Sequence, residues 1–81
     1  MPTVQVGAVQ FRVYPQDHLP RHVHAFIGDG EVIIDLRNDR TVAVADRRNA
    51  VRNATRTEVR RALETAASVF DQLVLLWEQM Q

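Results

Sequence analysis

With 81 residues and 46 % hydrophobic content, the chain has the size of one small domain and a composition well outside that of a disordered segment. Ten basic residues, all of them arginine, balance ten acids, so whole-chain charge gives no support to a polyanionic partner. Cysteine is absent, which excludes disulfide staples, a thiolate nucleophile and the thiolate zinc frameworks.

The first elements read as strands. In "VQVGAVQFRVY", Val9, Phe11 and Val13 alternate with Gln10, Arg12 and Tyr14, and Gly7 marks a hairpin turn or a bulge. Residues 15–20 form a loop between two prolines, with Asp17 favouring a turn. A strand over 22–27 follows, then "GDG" turns the chain into "EVIIDL" and "RNDR" turns it again into "TVAV". The expected result is an antiparallel meander of three to four strands within residues 1–45, with room for a short extra strand at its start.

The period then changes. Val59, Leu63, Ala66, Phe70, Leu73, Trp77 and Met80 recur at alternating steps of four and three, which predicts one long C-terminal helix over about 56–80. Thr55 and Glu58 have the spacing of a capping box at its start. The arginine-rich connection over 46–56 is ambiguous: Asp46 could cap a short helix, but its asparagines make a poor helix interior. The economical fold for residues 1–81 is a single α+β domain, with the helix lying across one face of the meander.

That face would carry Val9, Phe11, Val13, Val23, Ala25, Ile27, Val32, Ile34 and Leu36. Because Val69, Val74, Leu75 and Leu76 widen the helix stripe, one small sheet is not expected to cover it. The expectation is a homodimer or a small protein partner, with Phe70, Leu73, Leu76 and Trp77 at the interface. No membrane role is expected, since the apolar run at 73–77 is far shorter than the roughly 20 residues a span needs. The N-terminus lacks the basic start and sustained apolar core of a secretion signal, and a cytoplasmic setting fits.

The opposite sheet face would present Arg12, Tyr14, His22, His24, Phe26, Glu31, Ile33 and Asp35. All three histidines fall in "QDHLPRHVHAF", and His22 and His24 are two apart on a strand, pointing the same way. As metal ligands, His22 and His24 would be completed by His18 or by Asp17 or Asp35, a set suited to Zn or Fe. As acid–base groups, His18, His22 or His24 would move a proton while Arg12 or Arg21 holds a phosphate, the division of labour of a small ribonuclease. On the plainest reading no cofactor is bound, and the histidines are polar sheet residues hydrogen-bonded to Asp17, Glu31 or Asp35.

Charge is unevenly placed. Residues 1–46 hold four arginines and six acids, residues 47–61 six arginines and one glutamate, and residues 62–81 three acids. Arg48, Arg52, Arg56 and Arg60 are spaced four apart, so a helix through 46–60 would align them as a stripe for nucleic acid or an acidic partner.

The stretch "FRVYPQDHLPRHVHAFIGDGEVIIDL" resembles the small bacterial family called domain of unknown function 4160. Its members show an Arg-aromatic strand, a D/N-H-x-P-P-H-F-H signature, a glycine turn, a "V-I-D-I" strand and a C-terminal helix ending near a tryptophan. Asp17, His18, Pro20, His22 and His24 stand at matching positions, as do Gly28, the strand Ile33–Leu36 and Trp77. Arg21 replaces the second proline and Val23 the aromatic residue. The resemblance implies a small component of a toxin–antitoxin-like gene pair and carries no catalytic mechanism. The functional expectation is therefore an interaction or regulatory protein. The alternatives are a ribonuclease or metal-dependent hydrolase on the histidine face, and a nucleic-acid-binding protein on the arginine segment.

Overall fold

The computed structural model describes residues 2–81; Met1 lies outside it. The chain is α+β, an antiparallel sheet followed by two C-terminal helices. The strands are β1 (Thr3–Val6), β2 (Val9–Arg12), β3 (His22–Ile27), β4 (Gly30–Leu36), β5 (Val42–Val44) and β6 (Val51–Arg52), and the helices are α1 (Arg56–Ser68) and α2 (Phe70–Gln79). The meander thus has more strands than the three to four expected. The first extra strand is β1, which pairs with β2 around the Gly7 turn, Gly7 taking a φ of 57° that suits glycine. The second is β6, which is only two residues long and carries no period a sequence could show.

Strands follow one another as neighbours, β1-β2-β3-β4-β5, and β6 pairs with the same edge of β4 as β5 does. Between β5 and β6 the ladder nearly closes, because Ala45 N–H donates to the Ile33 carbonyl and Ile33 N–H to the Ala50 carbonyl. Residues 46–49 therefore bulge out of an otherwise continuous edge strand, with Ala45 and Ala50 packed on Ile33. This corrects the stripe expected from Arg48, Arg52, Arg56 and Arg60. Arg48 sits in the bulge, Arg52 in β6, and only Arg56 and Arg60 share a helix.

Register explains the core. Val4, Phe11, Ala25 and Val32 line up across β1 to β4, and Val23, Ile34 and Val44 across β3 to β5. All nine side chains expected on the apolar face are buried there, joined by Ala62 and Ala66 of α1 and by Phe70, Leu73, Leu76 and Trp77 of α2. Those last four were expected at an interface. They face the protein's own sheet instead, because β1 extends the sheet beneath α2 and Val4 and Val6 supply the missing cover. A dimer built on them would first have to open the core. Leu75 is the apolar side chain of α2 that remains exposed.

The single long helix is also corrected. It breaks at Val69, whose φ of −121° and ψ of 29° leave the helical region. Ser68 Oγ donates to the Thr65 carbonyl, a local bond that competes with the ladder at this point. A straight helix over 56–79 would run about 36 Å, longer than the 30 Å greatest extent of the molecule. The break lets α1 lie over β3 to β5 and α2 over β1, β3 and β4. No helix among the described residues is long and apolar enough to cross a membrane.

The expected capping box is present: Glu58 N–H donates to Thr55 Oγ1 at 3.1 Å and Thr55 N–H to Glu58 Oε1 at 2.9 Å. Thr55→Ala removes one acceptor from the first turn of α1. It is expected to cost about 1 kcal/mol, read as a lower denaturation midpoint at unchanged slope. A midpoint equal to wild type would show the cap to be idle.

Candidate functional site

The chemistry-bearing cluster forms where the loop after β2 returns to the sheet. Tyr14–Asp17 is a β-turn with Pro15 at its second position, closed by Asp17 N–H donating to the Tyr14 carbonyl at 3.0 Å. In return Tyr14 N–H donates to Asp17 Oδ2 at 2.9 Å, so the carboxylate is fixed by the turn that carries it. The next residues bring the chain back through a cis Leu19–Pro20 peptide into β3.

His22 and His24 point from β3 to the same side, their ring centroids 5.3 Å apart. Each ring is oriented through Nδ1. His22 Nδ1–H donates to the Pro20 carbonyl at 2.8 Å, and His24 Nδ1–H donates to Glu31 Oε2 at 2.9 Å. The second bond is diagonal across the ladder: His24 pairs with Ile33, and Glu31 lies two residues further along β4. Both Nε2 atoms are left facing Asp17. His24 Nε2 is 3.2 Å from either carboxylate oxygen, and His22 Nε2 is 3.4 Å from Oδ1 but not aligned for a hydrogen bond. Among the described residues, His22 Nε2 is the buried side-chain polar atom that has no hydrogen-bond partner.

The cluster is walled in. His22 is 2 % and His24 7 % exposed, with Tyr14 edge-on to His24 and Trp77 of α2 against His22 at 5.3 Å. This corrects the expectation that His22 stands on a face away from the helices, since Trp77 reaches it. Burial by itself would raise the Asp17 carboxyl. The Tyr14 N–H, the hydrogen bond and charge of His24 and the charge of His22 outweigh it, holding the group below the usual aspartate value.

Other expected site residues are not brought in. His18 is exposed and outside the group formed by Asp17, His22 and His24. Asp35 pairs with His22 in the ladder, yet it is not part of that group. Arg12 pairs with His24, but its guanidinium donates to Gln10 at 2.9 Å and lies over Phe26. It therefore does not offer a phosphate clamp beside the histidines. Glu31, expected as a hydrogen-bond acceptor for a histidine, is through its diagonal placement the group that orients His24. A surface pocket of roughly 240 Å³, lined by Arg40 and residues 67–72, lies at the α1–α2 junction and not at the histidines.

The arginine segment is a separate feature. Arg47, Arg48, Arg52, Arg56, Arg60 and Arg61 are all exposed. Among the described residues, the ion pair made by this group is Arg52 with Glu31, at 3.9 Å. Arg56 also sits in the first turn of α1, where the helix dipole disfavours positive charge, and Arg60 and Arg61 follow in the second turn. Compared with protein-family models, curated proteins and solved structures, the chain matches none.

Proposed function

We propose that this chain is a small cytoplasmic interaction protein, one member of a toxin–antitoxin-like or related regulatory pair, which docks an acidic protein partner through residues 47–61. One observation carries the reading: six exposed arginines on a continuous segment for which, among the described residues, the ion pair formed is the 3.9 Å contact of Arg52 with Glu31. Charge left unneutralised on a small domain steers an oppositely charged partner and fixes its register. The resemblance of residues 11–36 to domain of unknown function 4160 supports the paired arrangement. An acidic protein is preferred to nucleic acid because the flanking segments, 1–46 and 62–81, are net acidic and would repel a long polyanion.

Hydrolase and ribonuclease readings have less support. Both need histidines that a substrate can reach, whereas His22 and His24 are buried; the ribonuclease reading also needs a cationic group beside them, and Arg12 is turned away.

The test co-expresses this chain with the small protein encoded next to it and measures binding of the purified pair against salt. Affinity should fall as salt rises. Reversing Arg48, Arg52, Arg56 and Arg60 to Glu should weaken binding by more than about tenfold. A complex that the quadruple variant forms as tightly as wild type ends the proposal. So does preferential, salt-sensitive binding of a DNA or RNA duplex with no affinity for the neighbouring protein.

A further inference from the structure

We infer that Asp17, His22 and His24 form a binding site for a divalent transition-metal ion of the Zn²⁺ class, one that clasps the 13–21 loop to the sheet. One ligand atom from each residue lies within 4.8 Å of the other two. The Asp17 carboxylate, held in place by its turn, already stands 3.4 Å from His22 Nε2 and 3.2 Å from His24 Nε2, close to the spacing that metal–ligand bonds of about 2.0–2.2 Å set between neighbouring ligand atoms. Two imidazole nitrogens and one carboxylate oxygen, with no thiolate, suit zinc or ferrous iron.

Hydrogen bonding around the cluster is what distinguishes it from an ordinary polar patch. Metal-bound histidines typically hold the other ring N–H on a carbonyl or carboxylate, which fixes the tautomer and aims the free nitrogen. Both histidines do so here, His22 on the Pro20 carbonyl and His24 on Glu31. The Pro20 carbonyl only accepts, so Nδ1 of His22 carries a proton, and Nε2 is the nitrogen that a metal ion would take. That nitrogen is buried and unpartnered, 3.4 Å from a carboxylate oxygen.

The competing account is a doubly protonated His24 bridging Asp17 and Glu31. It explains His24 but leaves His22 Nε2 buried without a partner, an arrangement that normally carries a cost. A cation among the three atoms satisfies both rings and Asp17 together. It also leaves Glu31 as the outer carboxylate, backed by Arg52 at 3.9 Å. This proposal does not rest on the arginine surface.

Tag-free protein stripped with chelator decides the matter, titrated with Zn²⁺ by calorimetry and with Co²⁺ by visible absorption. One equivalent should bind with micromolar or tighter affinity, and the thermal midpoint should rise with metal concentration. Asp17→Asn and His22→Gln should abolish stoichiometric binding, Glu31→Gln should weaken it roughly 10–100-fold, and His18→Ala should bind as wild type. If His22→Gln fails to fold, Asp17→Asn decides, because its side chain lies on the loop and the sheet registers are untouched. Substoichiometric binding of both metals by wild type overturns the proposal. So does retention of binding in Asp17→Asn, or its loss in His18→Ala.

Discussion

Leu73→Ala should destabilise the protein by about 2–5 kcal/mol, while Leu75→Ala, two residues along the same helix, should change stability by no more than about 0.5 kcal/mol. Leu73 is fully buried between α2 and the sheet, whereas Leu75 is 57 % exposed. Truncating Leu73 removes apolar atoms from the core and leaves a cavity that the sheet, tied by its ladders, can only partly fill. A domain of this size has a total stability of roughly 4–12 kcal/mol, so the loss consumes a large share of it and at the upper end unfolds the chain. Chemical denaturation followed by Trp77 fluorescence and by far-ultraviolet circular dichroism measures both variants. The contrast also separates core from interface. If Leu73→Ala left folding intact but lowered an association constant, the placement of Leu73 in the protein's own core would be wrong.

Gly30→Ala is the second large effect, at about 1–3 kcal/mol. A methyl group there would stand 2.7 Å from the Asn53 carbonyl oxygen, 2.8 Å from Ala54 Cβ and 3.0 Å from Ala54 Cα. None of these is the end of a flexible side chain, so relief requires moving the backbone that joins β6 to α1. Gly30 does not carry a positive φ, and the penalty is therefore one of packing. Gly7 gives the complementary case, with open space around it but a φ of 57°. Gly7→Ala should cost about 1–2 kcal/mol through backbone strain alone. The two penalties differ in where they act. Amide exchange should quicken around β4, β6 and the start of α1 in Gly30→Ala, and only in the β1–β2 hairpin in Gly7→Ala. Equal exchange patterns in the two variants would contradict the close approach at Gly30.

Much of the fold was legible because the signals that write it are local. Alternation placed Val9, Phe11 and Val13 on the core face, "GDG" and "RNDR" marked two turns, and Thr55 with Glu58 announced the start of α1. The Val69 break was not legible, since no glycine or proline stands there. It follows from fitting a long apolar stripe onto a small body. The placement of Phe70, Leu73, Leu76 and Trp77 at an interface failed for a related reason. Apolar surplus on a helix is meaningful only against the area available to cover it, and that area depended on β1 pairing as the fifth strand in the row.

At the candidate site, the sequence by itself determined that His22 and His24 share one side of a strand, because the period of two is a property of the chain's own geometry. It also supplied Asp17 within a proline-bounded loop and the excess of arginine over 47–61. Only the tertiary structure decided that Asp17 joins those histidines and His18 does not, that Glu31 orients His24, and that Trp77 closes over His22. It alone scattered Arg48, Arg52 and Arg56 over a bulge, a strand and a helix. Each of these outcomes depends on loop closure or on pairing between distant segments. Their free energies belong to contacts between residues far apart in sequence, and no local pattern encodes them.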